Sequence, residues 1–480
     1  MSEKIQRGYF MPDKKAREKK REIPHVFAIL LILMVVALIA TWLIPSGSYE
    51  RVPLEGTSRM IVDPESFHYT EKEWLTPWKF MTLILDGLTG AAMVAFAVII
   101  IGGAWEVINA TGAIAGAVKS LSRKFKKRDY MLFPVLMFVF ALIAAIVGGA
   151  ELMIVYLPAI LPIVLMLGYD TMTAMACVMV SAVTAFAVSV TNPFTVAIGQ
   201  QITGIELYSG SWYRIILQVV FFFVGVWYVL RYAKKVKANP EASLVYRESR
   251  EYAVQLEAER EEEQVCAPGR QMMIGLTLAA ILAVMVFGII KWGWYMNEII
   301  AMFLLAAVLS AAIGGIGVNK ACSAFAKGAS SVVSAALVCG LSNCIAVILT
   351  QGGIIDVVIH SLASVIVFLP KSVSLVGVFI VQELFNFLVN SGSGQFLITM
   401  PILAPLGDVV GLESNALILA SQMGDGLTNV MFPTSGVLMA VLACAKVPYQ
   451  KWLKFILPYV GIMTVLGSVA LIIAQLIGYA

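Results

Sequence analysis

The chain has 480 residues, of which 60% are hydrophobic and 13% charged, and its formal net charge is +4. A soluble domain carries about twice that share of charge, so water is excluded as the main solvent, and a mean hydropathy of +0.87 marks a polytopic membrane protein. The six cysteines, Cys177, Cys266, Cys322, Cys339, Cys344 and Cys444, lie mostly within apolar segments without a CxxC pair, which points away from a disulfide framework or a zinc site.

Residues 1–25 hold eight Lys or Arg and precede an apolar run at 26–44. No small-residue cleavage site precedes Pro45, so this run is expected to be an uncleaved first span with its basic flank inside. A basic arm for nucleic acid is the other reading of this terminus, but charge that orients a membrane protein is far commoner, and no nucleic-acid partner is expected. Further apolar runs at 83–108, 171–200, 212–232, 271–290, 298–317, 330–350, 415–445 and 453–476 are each long enough to cross a hydrocarbon layer of roughly 30 Å as helix. These make nine expected spans of an all-α protein. With the N-terminus inside, 27 of the 34 Lys and Arg fall in inner segments, as the positive-inside rule requires, and the C-terminus lies outside. The remaining basic residues, Arg214 among them, are assigned in or beside outer segments, leaving the spans without Lys or Arg. The polar stretch 233–270, with Asn239-Pro240 and an acidic run from Glu257 to Glu263, reads as a solvated cytoplasmic linker between two halves.

The halves, 26–232 and 271–480, share punctuation. Gly87 through Gly112-Ala113-Ile114 parallels Gly328 through Gly353-Ile354-Ile355. Gly148-Gly149-Ala150-Glu151 with Pro158 and Pro162 parallels Asn390-Ser391-Gly392-Ser393-Gly394-Gln395 with Pro401 and Pro405. Thr191-Asn192-Pro193 parallels Thr428-Asn429, followed by Pro433-Thr434. The charge-derived topology runs 83–108 and 330–350 in opposite directions, so inverted repeats are expected. Two apolar stretches, 130–167 and 372–405, are interrupted at their middles. Each begins and ends on one side, the first inside and the second outside, so each is expected to be a re-entrant hairpin with its tip near the midplane.

On these residues, together with Ile23-Pro24-His25, Ile44-Pro45-Ser46-Gly47, Phe194-Thr195-Val196 and Ser435-Gly436, the chain resembles the YfcC group of the C4-dicarboxylate anaerobic carrier (DcuC-like) family, within the ion transporter superfamily. The resemblance covers nearly the whole length. It implies a homodimer in which scaffold helices carry a moving domain of hairpins and broken helices, working as an elevator. Some members of the group are thought of as arginine/ornithine exchangers. One departure is Leu152-Met153-Ile154-Val155, where the group is more polar.

Breaking a helix at Asn192-Pro193 or Asn429 frees carbonyl oxygens that suit cations and N–H groups that suit anions. Asn supplies an acceptor and two donors, Thr and Ser add hydroxyls, and Pro193 has no N–H to leave unpaired. The candidate solute-binding set is therefore Gly148, Gly149, Ala150, Glu151, Thr191, Asn192, Pro193, Asn390, Ser391, Gly392, Ser393, Gly394, Gln395, Asp425, Thr428, Asn429, Pro433 and Thr434. Glu106, Glu151, Glu383 and Asp425 are acids in apolar surroundings, which are costly and commonly functional. Acids without a fixed base suit a solute bearing a positive group, such as an arginine- or ornithine-like amino acid, with Na+ or H+ as coupling ion. Sodium at the Asn192 and Asn429 breaks is the one candidate metal, and no other cofactor is expected. A C4-dicarboxylate or other organic anion held by helix N-termini is the alternative.

An enzyme is disfavoured, because Ser391 and Ser393 have no membrane Lys beside them and only His360 lies near the spans. HExxH and Walker motifs are absent, which disfavours ATP-driven pumping. A channel fits opposed hairpins less well than a secondary carrier in the cytoplasmic membrane does.

Overall fold

The computed structural model describes residues 26–479 except 54–59, 73, 114–128, 148–151, 262–266, 293, 295 and 367–368. In chain order the helices are α1 (Val26–Leu43), α2 (Pro77–Gly90), α3 (Ala92–Ala110), α4 (Leu132–Val147), α5 (Leu152–Met166), α6 (Thr171–Ala187), α7 (Val196–Thr203), α8 (Ser211–Ala238) and α9 (Tyr246–Glu261). They continue as α10 (Pro268–Trp292), α11 (Met296–Gly314), α12 (Val318–Gln351), α13 (Ile355–Ile366), α14 (Lys371–Asn386), α15 (Gly392–Val410), α16 (Ser414–Thr428), α17 (Gly436–Ala445) and α18 (Tyr449–Leu476). Two helices, then helix, break, helix, then one long helix follow in order from α4 to α8 and again from α14 to α18.

Among the described residues six helices are long and apolar enough to cross a membrane: α3, α8, α11, α12, α15 and α18. Several expected spans differ from the observed elements. The run 171–200 is two helices, α6 and α7, and 415–445 is α16 and α17. The run 330–350 is the second part of α12, which starts at Val318 and carries Lys320 and Lys327 within it. The run 83–108 is divided at Ala91, whose N–H bonds back to Gly87.

The expected all-helical architecture also needs a correction outside the bundle. Four short strands lie between α1 and α2: β1 (Gly47–Ser48) pairs antiparallel with β4 (His68–Tyr69), and β2 (Arg51–Pro53) with β3 (Met60–Val62). Two or three residues are too few for alternation to register in sequence. Asp356 of α13 anchors this loop, accepting from the Tyr49 N–H at 3.0 Å and pairing with Arg51 at 2.9 Å. Burial, then the Asp356 charge, push the Tyr49 phenol up to about 12; it shares a 2.9 Å hydrogen bond with His360, whose ring stacks on Phe67 at 3.9 Å. Asp356→Ala orphans these donors and should destabilise by on the order of 1–3 kcal/mol, read as an earlier melt of the detergent-solubilised protein. An unchanged melt would show that the loop is held by its apolar contacts alone.

The helices pack in two groups. In one, α12 lies along α3 and also meets α1 and α2, while α11 packs on α3 and α10 on α11. In the other, α6 and α16 form the centre, wrapped by α4, α5, α8, α14, α15 and α18. Between the groups, α12 packs against α17 and α3 against α5. Every residue of α6 is buried, as is Asn415 to Thr428 of α16. By contrast Ile215, Ile216, Val219, Phe223 and Trp227 of α8, and Val465, Val469 and Ile473 of α18, are exposed. A soluble protein would hide such stripes, and here they suit a hydrocarbon solvent.

Two glycines let α16 sit at the centre. A methyl group at Gly426 would lie 2.6 Å from the Ala187 Cα at the end of α6, and one at Gly424 2.7 Å from the Phe379 carbonyl of α14. Their absent side chains allow the backbones to touch on both sides of Asp425.

Candidate functional site

At the first break, α6 stops at Ala187 and the chain is non-helical until α7 begins at Val196. Asn192 is fully buried, and its Oδ1 accepts the Phe194 N–H at 2.9 Å in a local turn, as Asn side chains favour. Its Nδ2, and the buried Thr195 Oγ1, have no hydrogen-bond partner. The Ser189 hydroxyl donates to the Ala145 carbonyl of α4 at 2.9 Å, tying the break to that helix.

At the second break, α16 stops at Thr428 and α17 begins at Gly436, with the Ser435 hydroxyl accepting the Leu438 N–H. Asn386, the last residue of α14, governs this end. Its fully buried Nδ2 is shared among the Asp425 carbonyl at 2.9 Å, Thr428 Oγ1 at 2.8 Å and Asn429 Oδ1 at 3.0 Å. Asn390 then donates to Asn429 Oδ1 at 2.6 Å and to Asn386 Oδ1 at 3.2 Å. One amide cluster thus closes the carbonyl end of α16 and fixes the tip of the second hairpin over it.

That tip starts α15. Ser391 is its N-cap, with Oγ accepting the Gly394 N–H at 3.3 Å, and the Gln395 N–H bonds to the Ser391 carbonyl at 2.7 Å. The N–H groups of Gly392 and Ser393 lie in the first turn, where no intrahelical acceptor exists and the helix dipole is positive. A methyl group at Gly392 would lie 3.1 Å from each of Asp425 Oδ2, Thr195 Cγ2 and Phe186 Cζ. The positive end of α15, the first break and α16 therefore meet at one point. Asp425 is fully buried there, and although the Asn429 side chain lies beside it, neither carboxylate oxygen accepts a hydrogen bond of good geometry. From Ser414, Asp425 is about 16 Å down the axis of α16.

Unpaired buried polar atoms are rare because each costs about 1–3 kcal/mol. Here an acid and a hydroxyl-bearing residue that both meet Gly392 at a helix N-terminus are left so, as is an amide donor in the same break as the hydroxyl. Such a set can take a small solute with a cationic group for Asp425 and an anionic or polar group for the N–H groups of α15.

The profile of the family described as C4-dicarboxylate anaerobic carrier (DcuC) matches residues 23–476. This chain belongs to the DcuC family. Within it, the chain is 30% identical, over 95% of its length and 97% of the relative's, to an Escherichia coli (strain K12) protein, YfcC, whose name proposes basic amino acid antiport. It is 26% identical to an uncharacterised Haemophilus influenzae protein, over 96% of this chain and 98% of that one. Of solved structures, the Alcanivorax borkumensis YdaH transporter superposes with a TM-score of 0.41 at 15% identity, covering 95% of this chain and 99% of that one. The Neisseria gonorrhoeae MtrF efflux pump gives 0.41 at 16%, covering 94% and 95%. Both likenesses are too loose to place a residue. The family assignment makes the protein a multi-pass membrane transporter.

Within this DcuC-family chain the candidate residues fall into three sets. Gly392, Asp425 and Asn429 are brought together beside Thr195, with Ser391, Ser393, Gly394 and Asn390 in the adjoining tip, while Asn192 is buried in the first break that also carries Thr195. Others are turned to structural bonds: Thr428 donates to the Gly424 carbonyl at 3.1 Å and accepts from Asn386, and Gln395 Nε2 donates to Gln382 Oε1 at 2.6 Å, stapling α15 to α14. Pro433 offers its carbonyl to Ser342 of α12 at 3.4 Å, Thr434 is buried with its Oγ1 unpaired, Pro193 is half-buried and Thr191 exposed. Gly148, Gly149, Ala150 and Glu151 lie outside the described residues, so the first tip is not placed.

Two further acids lie elsewhere. Glu106 pairs with Lys327 at 2.9 Å in a cavity of about 190 Å³ between α3, α12, α5 and α17, and Glu383 accepts from Thr464 of α18 at 2.9 Å. The expectation of spans without fixed bases is overturned: Lys327 lies within α12, and Arg214 of α8 is fully buried. Arg214 Nη1 donates to Gln422 Oε1 of α16 and to the Ser189 carbonyl at 3.4 Å. Position near a helix end makes it look like loop charge, and side-chain direction is invisible in sequence. Asn386, Thr195 and Gln422 were also missed. The spacing of Asn386 and Asn390, i and i+4 on one helical face, is the one signal that could have found the first.

Proposed function

We propose that this chain is a secondary active carrier that exchanges or takes up a small carboxylate-bearing solute, an arginine- or ornithine-like amino acid. The observation that carries this reading is the unpaired carboxylate of Asp425 against Gly392 at the start of α15. A cationic group would pair with Asp425, and the solute carboxylate would accept from the first-turn N–H groups of α15. Arg214 removes the argument that the region lacks a base, but its bonds run to Gln422 and to a backbone carbonyl, while the Asp425 carboxylate receives none. The acid is therefore the group left for the solute. The name of the E. coli relative supports the same class.

The family description favours a second reading, a C4-dicarboxylate or other organic anion coupled to Na+ or H+, held by the same helix N-terminus. Under either reading the two halves act as inverted repeats. The group centred on α6 and α16 moves against the group built on α3 and α12, as an elevator within a homodimer in the cytoplasmic membrane. The N-terminus is inside and the C-terminus outside.

In proteoliposomes, uptake of labelled arginine should be saturable and stimulated by unlabelled arginine or ornithine on the opposite side. Asn192→Ala and Asn429→Ala should each abolish it while leaving expression intact. Stimulation by succinate alone would select the second reading, and flux that neither saturates nor responds to the opposite side would sink both.

A further inference from the structure

The carbonyl ends of the two broken helices are closed differently. At the end of α16 the donor is the neutral amide of Asn386. At the end of α6 the carbonyls of Phe186 and Ser189 accept from Gln422 Nε2 at 2.8 and 3.2 Å, and the Arg214 guanidinium is added, donating to Gln422 Oε1 and to Ser189. A helix C-terminus carries about half a negative charge, and a cation donating to the Ser189 carbonyl offsets it.

Arg214 is also unusual in direction. It is the fourth residue of α8, near the outer end, and arginines so placed ordinarily extend toward water. This one is fully buried and reaches Gln422, about 12 Å down α16 from Ser414. The Tyr479 hydroxyl lies beside it and donates to the Gly210 carbonyl at 2.7 Å. Arg214 Nε and Nη2 form no hydrogen bond of good geometry, so it is not held for the bonds it makes. Burying a guanidinium costs several kcal/mol, and in a membrane such a group calls for a role.

We propose that Arg214 is a tethered cation at the end of α6, standing where a monovalent metal ion would otherwise balance the carbonyl end of that helix. Half-helix C-terminal ends are sites at which carriers hold sodium. With the positive charge supplied covalently, the first break needs no ion from solution. Arg214 thus sets the ion requirement of the first break. For transport this rests on the carrier reading, but the charge balance itself does not.

The test is a thermal melt of the purified full chain in sodium chloride against choline chloride at equal ionic strength. Wild type and Arg214→Lys should melt alike in both salts. Arg214→Gln leaves the Ser189 carbonyl, Gln422 Oε1 and a new amide oxygen around an uncompensated space. It should melt earlier in choline and regain about 3 °C or more in sodium, with methylguanidinium acting as sodium does. Equal sodium responses in wild type and Arg214→Gln would overturn the proposal, as would an Arg214→Gln melt blind to both cations. Should Arg214→Gln fail to fold, the Lys variant decides, since a sodium-dependent melt there would mean that a tethered cation does not replace the ion. No step requires transport, so a sodium response gained by Arg214→Gln in a chain that exchanges no amino acid would sink the carrier reading alone.

Discussion

Asp425→Asn is expected to reduce exchange of a cationic amino acid by about 30- to 5,000-fold, since removing one partner of a buried charge pair costs about 2–5 kcal/mol. The substitution keeps volume and shape, so the tight backbone contacts at Gly424 and Gly426 remain. It should affect an anionic solute much less, and equal losses for both classes would count against the acid as the cation's partner. The same variant should melt no lower than wild type. A buried carboxylate without donors is a cost to the fold, and a residue kept at such cost is one whose use lies in function. A lower melting temperature would instead make Asp425 a structural residue.

Asn386→Ala should have the second large effect, on stability as well as exchange. The substitution removes donors to the Asp425 carbonyl, Thr428 Oγ1 and Asn429 Oδ1, and takes the Oδ1 that Asn390 binds. Each orphaned buried group costs about 1–3 kcal/mol, so a melt lower by several degrees is expected, with loss of exchange because the tip no longer sits over α16. A melt within a degree of wild type would show that water or Asn429 alone can close the helix end.

The breaks at Asn192 and Asn429 and the second tip were legible in the sequence because Gly, Pro and Asn interrupt apolar runs where backbone would otherwise have to stay helical. Gln395 and Thr428 were read as solute ligands on the same ground, yet they staple α15 to α14 and close α16, since a buried amide or hydroxyl satisfies itself on whichever partner the packing presents. Glu106 was legible as a costly acid but not its pairing with Lys327, because the length of α12 is set by contact with α3 and not by hydropathy. The strands at 47–69 were too short to carry a period.

The sequence by itself determined that the protein lives in a membrane, which segments break, and which family it belongs to, because these follow from composition, local backbone chemistry and motifs in order. Only the tertiary structure decided that Gly392 meets Asp425 and Thr195, that Asn386 rules the second break, and that Arg214 turns inward to the first. Those facts depend on which faces of α6, α14, α15 and α16 are pressed together, and in a helix that is hydrophobic all round no periodicity marks the face that carries the site.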